Sequence, residues 1–318
     1  MTLDSVFQQT FTDYEVIVVN DGSPDDTEKV LKPYIAAGKI VYQGQPNAGV
    51  ATARNRGISM ARGELVALLD DDDLWPEYRL EQMVAAIDGM PEAVMAYGSI
   101  RFIDRAGADL QPDDGAGNPR RLPCDGPDNP GASGDVYQNF TRENQIVSPG
   151  QTLIRRAALL AIDEPPCDPG IWGADDWDLW FKLLEQGPAV YVDAPCLRYR
   201  FHSGNASRNA AKMQVNVLKL FKKHIQRQRA HPQRRAWLID GYEHLKSHTY
   251  SHLCHHAWLD LKSCSEYYHN HLVKTGFMNL WVCFRVAPRE CMNRRFFSLC
   301  KGMAHAGWYG VKRKLRLR

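Results

Sequence analysis

The residues most suggestive of chemistry in this chain are four consecutive carboxylates, Asp70-Asp71-Asp72-Asp73. They directly follow the apolar run Leu65–Leu69, which is typical of a buried strand. Neighbouring side chains alternate along a strand, but the chain turns where the strand ends, so Asp70 and Asp72 can converge on one point. A hard divalent cation is held by one or two such carboxylates and keeps positions open for diphosphate oxygens. The alternative explanation is a solvated acidic turn or the N-terminus of a helix, where carboxylates are also favourable.

Strand and helix patterns alternate around these carboxylates. Strands are predicted over Glu15–Val19 and Ile40–Tyr42, and helices over about 25–37 and Val50–Met60. This alternation predicts an α/β fold with a mostly parallel sheet flanked by helices, in which ligands bind beyond the carboxyl ends of the strands. The polar turn Asn20–Asp26 and the aspartate cluster both follow strands, so we expect them to share one crevice.

The pattern continues beyond the aspartate cluster. Helices are predicted over Glu77–Asp88, from Arg156 and over Asp175–Glu185, and strands over Ala93–Tyr97, Ile100–Asp104, Thr152–Ile154, Ala189–Val192 and Leu197–Phe201. Residues 107–134 are rich in Gly, Pro, Asp and Asn, which predicts a long surface excursion.

The charge of the chain is divided between two parts of different composition. The 318 residues carry a formal net charge of +2, but residues 1–207 hold 17 Lys and Arg against 32 Asp and Glu, whereas residues 208–318 hold 22 against 5. A chain of this length with 44% apolar residues can form one large domain with a smaller appendage. We therefore predict an acidic domain over 1–207 and a basic, largely helical region over 208–318.

The remaining composition argues against several classes of protein. Apolar runs fall short of the ~20 residues of a membrane span, and the first residues lack a signal-peptide pattern, so a cytoplasmic location is expected. The eight cysteines are scattered without a CxxC pair, which argues against a zinc knuckle or a disulfide framework. The basic region carries no recognised nucleic-acid-binding motif, so no nucleic-acid partner is expected.

Two features of the basic region could contact other molecules. The tail Lys312–Arg318 could rest on the anionic cytoplasmic face of a membrane, or it could be a solvated tail. Four histidines recur at the spacing of one helix face: His244, His248, His252 and His256. Such a stripe could bind a metal, but it more often covers a helix surface.

Motifs in a fixed order give the first part of the chain a recognisable resemblance. The motifs are Gln9-Thr10-Phe11 before Val18–Ser23; Asn47-Ala48-Gly49 with Ala53–Gly57; Leu69–Asp73 with Trp75-Pro76; Asp175-Asp176; and Tyr199–His202. In this order they resemble the family 2 glycosyltransferases, which have the GT-A fold and move a sugar from a nucleotide diphosphate sugar to an acceptor hydroxyl. The resemblance covers roughly residues 5–207 and implies a nucleotide-sugar donor and a glycan, lipid-linked or protein acceptor.

The resemblance implies a nucleotide site built from three segments. Asn20 and Asp21 match the nucleotide-binding turn, and the carboxylate of Asp21 would accept the imide N–H of uracil, which favours a uridine donor. Arg54 matches a basic residue of the same pocket, where its rigid fork can hold base or phosphate oxygens. Asp70 and Asp71 are expected near the ribose. Asp21 could instead form an Asx turn, and Arg54 an ordinary surface ion pair.

The same resemblance implies a site for Mg²⁺ or Mn²⁺. Asp72 is expected to ligate the cation directly, Asp70 to lie at the ribose or the metal, and Asp73 to cap the following helix. His202 could complete the metal site or be an exposed histidine without this role. Arg200 is expected to meet the departing diphosphate.

Asp176 matches the general base of the family. In inverting members this carboxylate removes the proton of the acceptor hydroxyl as the oxygen attacks the anomeric carbon, and such catalysis gives about 10²–10⁴-fold in rate. Asp175 stands where members often have glutamate, which shortens the side chain and keeps its charge. Both aspartates could instead be favourable charges in the first turn of a helix.

The N-terminal segment departs from the family pattern. Members begin with another strand and most of a helix ahead of the Gln-Thr-Phe motif, and here Met1–Phe7 supplies only the end of that helix. We therefore expect Val16–Val19 to lack a hydrogen-bonding neighbour and to expose apolar surface, as in a truncated form of a longer enzyme.

Two other functions stay open from the sequence alone. The chain could be a nucleotide-sugar-binding or scaffold protein that has lost turnover. It could also be a nucleotidyltransferase, since these enzymes use an acidic metal cluster on an α/β sheet. That function would leave Asp175 and Asp176 unexplained.

Overall fold

A computed structural model of the chain describes residues 1–110, 131–202 and 210–247. The chain divides into two compact units, Met1–Arg208 and Asn209–Arg318. Most of the predicted Gly-rich and Pro-rich excursion, the basic tail Lys312–Arg318, and His248, His252 and His256 lie outside the described residues.

Helices and strands alternate along the first unit. Its helices are α1 (Thr2–Phe7), α2 (Thr27–Ala36), α3 (Val50–Met60), α4 (Arg79–Asp88), α5 (Tyr137–Arg142), α6 (Arg156–Leu160) and α7 (Asp175–Leu184). Its strands are β1 (Ile17–Asn20), β2 (Val41–Gly44), β3 (Leu65–Val66), β4 (Met95–Ile103), β5 (Thr152–Arg155) and β6 (Ala189–Arg200). This alternation confirms the predicted α/β class.

The described strands form two separate sheets. β1 and β2 pair in parallel, and the other sheet has the order β3-β5-β4-β6. The long strands β4 and β6 are parallel, while β5 runs antiparallel to both β3 and β4. The sheet that carries the acidic cluster is therefore mixed, because the short strand β5 enters it in the opposite direction.

Strands β1 and β3 each have one hydrogen-bonded neighbour. Among the described strands, β1 pairs with β2 alone and β3 pairs with β5 alone. The side chains of β1 are half-buried throughout, as are Ala67, Leu68 and Leu69 beyond β3. Among the described strands, Val16–Val19 thus have a neighbour on one side only, as expected, but their side chains are half-buried rather than exposed.

The two strand segments predicted on either side of residue 98 are one strand, as are the two predicted around residue 195. The register of β4 against β6 shifts at Gly98 and Ser99. A Cβ atom on Gly98 would collide with the Sγ atom of Cys196, so this irregularity requires glycine. The bulge interrupts the alternation of apolar residues without ending either strand, and β6 continues to Arg200.

The core of the first unit lies between α4 and the mixed sheet. Leu80, Met83 and Ile87 on α4 belong to the same buried cluster as Ala96 of β4 and Leu197 of β6. This packing holds the carboxyl ends of β4 and β6 in fixed positions relative to the turn that follows β3. Within the described residues, no helix is both long enough and apolar enough to cross a membrane.

The described part of the second unit is helical. It consists of α8 (Ala210–Arg227), a 3₁₀ turn over Gln228–Ala230, and helical residues 232–247.

Candidate functional site

Arg54 connects the acidic turn after β3 to the start of α7. Its Nη2 atom donates to both carboxylate oxygens of Asp70, at 2.8 and 3.0 Å, and its Nη1 atom donates to Oδ2 of Asp175 at 2.8 Å. The side chains of Arg54 and Asp175 are 13% and 3% exposed, whereas Asp70 is 34% exposed, so the Arg54–Asp175 side of this cluster is shielded from water and the Asp70 side faces solvent. A guanidinium fork can bridge two carboxylates in this way because its donors are planar and fixed. The structure therefore brings the aspartate cluster and the Asp175-Asp176 pair together, as the sequence predicts.

Asp176 lies in the first turn of α7, next to Asp175. The Oδ1 atom of Asp176 accepts a hydrogen bond from the N–H of Trp177 at 2.6 Å. Burial, and then the negative charge of Asp175, raise the pKa of Asp176 to about 7, while the charge of Arg54 acts in the opposite direction. A carboxylate with this pKa is suited to accept a proton near neutral pH.

The loop that precedes α7 is held by two side chains outside the set of predicted site residues. Asn55 on α3 donates to the carbonyl of Cys167 at 2.7 Å and accepts from its N–H at 2.9 Å. Lys182 on α7 donates to the carbonyls of Pro165 and Pro166 at 2.8 and 3.1 Å. These contacts fix the start of α7 against α3. Asn55 lies inside the Ala53–Gly57 motif that carries the resemblance, so its position in the sequence indicated a role at the site.

The sequence also contains an indication that Lys182 has a structural role, namely its spacing from Asp178, with which it forms a buried ion pair. The two residues are four apart on α7, and both side chains are fully buried. A charged pair at this spacing on the apolar face of a helix indicates a fixed structural role.

Asp21 joins the turn after β1 to the loop before α3. Its carboxylate accepts hydrogen bonds from the Gln45 side chain at 2.8 Å and from the N–H groups of Ala48 and Gly49 at 2.9 and 2.8 Å. Burial acts to raise the pKa of Asp21, but the three hydrogen bonds together outweigh it and lower the pKa below its usual value. An ionised carboxylate has about four acceptor positions, so these bonds leave room for one donor from a ligand.

Asn20 shapes the same turn. Its Oδ1 atom accepts the N–H of Ser23 at 2.8 Å, and its Nδ2 atom donates to the hydroxyl of Tyr42 at 3.1 Å. The local turn geometry considered for Asp21 is thus formed by Asn20 instead. Gly22 has φ of +73°, and a Cβ there would lie 2.8 Å from the backbone nitrogen of Asn47, so glycine lets the two loops approach.

The predicted metal ligands are brought together only in part. Oδ2 of Asp72 lies 2.9 Å from Nε2 of His202. Asp70 is directed to Arg54, and no group of three or more His, Cys, Asp or Glu side chains within the described residues could hold a metal ion. A three-ligand set that includes Asp70 is therefore not formed in this structure. Asp71 is exposed at the tip of the turn.

The Asp72–His202 pair fits a divalent cation by its chemistry. A carboxylate and an imidazole are ligands that Mn²⁺ accepts, and Mg²⁺ is commonly held by one or two protein ligands together with waters and substrate phosphates.

Asp73 does not cap the following helix, so this prediction is wrong. Its side chain is 1% exposed, and α4 begins only at Arg79. The Oδ1 atom of Asp73 accepts the N–H of Arg200 at 2.8 Å, and its Oδ2 atom accepts the hydroxyl of Ser148 at 3.3 Å. Burial raises the pKa of Asp73 to about 8 against the opposing effect of the Arg200 hydrogen bond. Asp73 therefore links the acidic turn to the end of β6.

Arg200 lies beneath the acidic turn rather than on its surface. Its Nε atom donates to the carbonyl of Asp72 at 2.7 Å, and its Nη1 atom donates to the carbonyls of Asp104 and Arg105 at 2.9 and 2.8 Å. Arg200 is 8% exposed. Because these contacts hold the guanidinium against the backbone, the structure favours a positioning role over contact with a diphosphate.

We expect Arg200→Lys to weaken Mn²⁺ binding by about 10–100-fold, the usual effect of disturbing residues that orient metal ligands. A lysine has no rigid fork to hold three carbonyls, so Asp72 and His202 would lose their fixed relative position. The measurement is Mn²⁺ binding by electron paramagnetic resonance. The matched control is Arg198→Lys, since Arg198 is on the same strand and binds Gly107 and Asp109 instead. Equal losses in both variants would contradict the positioning role.

Comparison with known proteins identifies the family. The sequence model of glycosyl transferase family 2 matches residues 1–162, which is just over half of the chain. An uncharacterised glycosyltransferase of Rickettsia felis is 29% identical over 215 residues, which cover 65% of this chain and 32% of that protein. The putative teichuronic acid biosynthesis glycosyltransferase TuaG of Bacillus subtilis is 28% identical over 212 residues, covering 65% of this chain and 75% of TuaG. The chain thus spans about a third of the length of the Rickettsia felis relative.

Solved structures show the same fold. The crystal structure of S. aureus TarS 1-349 has a TM-score of 0.56 at 15% identity, covering 90% of this chain and 76% of that chain. The same TarS fragment in complex with UDP has a TM-score of 0.55 at 15% identity, covering 96% of this chain and 84% of that chain. Such likenesses at low identity show the fold, which is GT-A. Taken with the match of the family model, they establish that the chain belongs to glycosyl transferase family 2.

Proposed function

We propose that the chain transfers a sugar from a uridine diphosphate sugar to an acceptor hydroxyl, with inversion at the anomeric carbon. The observation that carries this proposal is the contact of Arg54 with both Asp70 and Asp175. This contact joins the acidic turn after β3, where the nucleotide is proposed to bind, to the first turn of α7, which contains Asp176. The raised pKa of Asp176 beside this cluster is in addition suited to a general base.

In the proposed step, Asp176 accepts the proton of the acceptor hydroxyl. The hydroxyl oxygen forms a bond to the anomeric carbon as the bond from this carbon to the diphosphate oxygen breaks, and the nucleoside diphosphate leaves with the bonding electron pair. A hydroxyl is a poor nucleophile at neutral pH, so the basic carboxylate supplies an important part of the rate. Direct attack from the face opposite the leaving group inverts the configuration.

The donor is proposed to bind along the turns that follow β1 and β3. Asp21 retains one acceptor position, which suits the imide N–H of uracil. Asp71 is exposed and can reach the ribose hydroxyls. Both turns lie at carboxyl ends of strands, where nucleotides bind in open α/β sheets.

Asp72 and His202 are the residues that would hold Mg²⁺ or Mn²⁺. When bound, the cation supplies positive charge next to the leaving diphosphate. Asp73 and Arg200 orient this pair from below the turn.

We propose a glycan hydroxyl as the acceptor. Two relatives are named for glycan synthesis, TuaG and a chondroitin synthase of Escherichia coli that is 25% identical over 210 residues. The chain covers 27% of the chondroitin synthase, so the proposal extends to the class of acceptor and not to a particular polymer.

The experiment is a titration with uridine, guanosine, thymidine and cytidine diphosphate sugars in the presence of Mn²⁺, followed by an assay of donor hydrolysis. We expect a uridine donor to bind most tightly and to be slowly hydrolysed, because water can replace the acceptor. Binding of a donor without any turnover would favour a nucleotide-sugar-binding protein instead. No binding of any donor would overturn the proposal.

A further inference from the structure

A cavity lies at the opposite end of β3 from the acidic turn. It has a volume of about 360 Å³ and is lined by Arg62, Gly63, Glu64, Arg155, Arg156, Ala157 and Leu160. Asp70 is six residues beyond Glu64, which corresponds to roughly 20 Å of extended chain. The cavity is therefore distinct from the candidate site for sugar transfer.

Three arginines and one glutamate line this cavity, which gives it a surplus of positive charge. Arg155 is anchored, since its Nε and Nη2 atoms donate to the carbonyls of Ala93 and Ile87 at 2.8 and 2.9 Å. The Nε atom of Arg156 is buried and has no hydrogen-bond partner among the described residues. Burying such a donor is unfavourable unless a ligand or water satisfies it.

The remaining arginine of the cavity, Arg62, is exposed. Within the part of the chain that the structure describes, neither Arg62 nor Arg156 forms an ion pair with Glu64 or with another carboxylate. Two guanidinium groups are thus available to a ligand, and both belong to the residue type that best recognises phosphate oxygens.

The backbone around the cavity is held in place by long-range contacts. The N–H groups of Arg62 and Gly63 both donate to the carboxylate of Glu15, at 2.6 and 3.3 Å. The N–H of Arg156 donates to the carbonyl of Glu64 at 2.8 Å. These contacts join the loop before β3 to the end of β5, so the arginines are presented by a fixed framework.

We propose that this cavity binds a small organic phosphate. Its surplus of positive charge, which the nearby carboxylate of Glu15 reduces but does not cancel, suits a phosphate group, and its volume falls at the lower end of the range for small-molecule sites. Leu160 is 59% exposed at the cavity and provides apolar surface for the organic part of the ligand. The phosphate group can belong to a free metabolite or to a lipid headgroup.

The test measures binding of glycerol 3-phosphate by isothermal titration calorimetry in the absence of nucleotide, because UDP is itself an organic phosphate and would compete for the cavity. We expect saturable binding that Arg156→Gln and Arg62→Gln each weaken by about tenfold or more, as for loss of a charge-assisted hydrogen bond. The matched control is Arg101→Gln, which removes one exposed positive charge from β4 and should leave binding unchanged. Leu160→Glu, which places a carboxylate beside the cavity, should also weaken binding.

Vesicles separate the two sources of phosphate. Co-sedimentation with phosphatidic acid vesicles, lost in Arg62→Gln and absent with phosphatidylcholine vesicles, would identify a lipid headgroup, and binding of glycerol 3-phosphate alone would identify a free metabolite. If neither probe binds, or if Arg101→Gln weakens binding as much as the cavity variants do, the proposal is overturned. Because the cavity variants are compared with each other and with Arg101→Gln, this result does not depend on whether a donor sugar is turned over.

Discussion

Replacing Asp176 by asparagine is expected to lower kcat by about 10²–10⁴-fold, the range for loss of a general base. The amide has nearly the same shape but cannot accept a proton at neutral pH. Donor affinity should change little, because the contacts of Asp21 and Arg54 that we assign to the donor side do not involve Asp176. The measurement is steady-state transfer together with a separate titration of the donor.

The control for Asp176→Asn is Asp193→Asn, which removes an equal charge from an exposed position on β6. This variant should keep the wild-type kcat. A variant at Asp176 that loses donor binding and turnover together would show that Asp176 supports the structure of α7 rather than the reaction. Retention of full turnover would remove Asp176 from the mechanism.

The pH profile gives a second readout of the same role. Burial and the charge of Asp175 raise the pKa of Asp176 to about 7, and the base acts only when it is deprotonated. Turnover should therefore fall as the pH drops below about 7, by up to tenfold per unit, and level off above it. Since the two aspartates interact, the midpoint is a property of the pair. Asp176→Asn should abolish this dependence in whatever activity remains.

The convergence of Asp70 and Asp176 could be predicted from the sequence because it follows from strand direction and from a resemblance whose motifs are local. Each motif lies in one turn or in one helix start, and the carboxyl ends of neighbouring strands meet at one edge. The same local reasoning failed for Asp73. A carboxylate ahead of a helix suggests a cap, but the donor that binds Asp73 is the backbone of Arg200, which is distant in sequence.

Arg200 shows that residue type and position in the sequence do not by themselves predict what a side chain contacts. Its type and its place near His202 suggested contact with a diphosphate, but three backbone carbonyls occupy its guanidinium. Carbonyl groups are present at every residue, so no side-chain pattern indicates which of them an arginine will bind. The cavity beside Arg62 and Arg156 could not be predicted from the sequence either. These two residues are far apart in the chain and come together only because β3 pairs with β5.

Replacing Arg54 by lysine should have the largest combined effect on stability and activity. Lysine retains the charge but cannot bind Asp70 through two bonds while also reaching Asp175, so one carboxylate is left without its partner. Losing a charge-assisted hydrogen bond costs about 1.5–3 kcal/mol, and because lysine keeps the charge this loss stays below the about 3–5 kcal/mol of a buried ion pair that loses one charge. Urea unfolding measures the loss. Arg56→Lys, on the same helix and exposed, is the matched control.

The pH profile of the Arg54 variants tests whether this cluster also sets the basicity of Asp176. The positive charge of Arg54 holds the pKa of Asp176 down against burial and against Asp175. In Arg54→Gln this pKa should rise further, so the acid limb of the turnover profile should move to higher pH, and activity at pH 7 should fall although Asp176 is intact. Combining Arg54→Gln with Asp175→Asn removes one charge of each sign, and it should recover part of the lost stability if the two residues are coupled. If the acid limb of the turnover profile lies at the same pH in Arg54→Gln as in the wild type, Arg54 has a structural role only. The ion-pair cluster would then not set the pKa of Asp176.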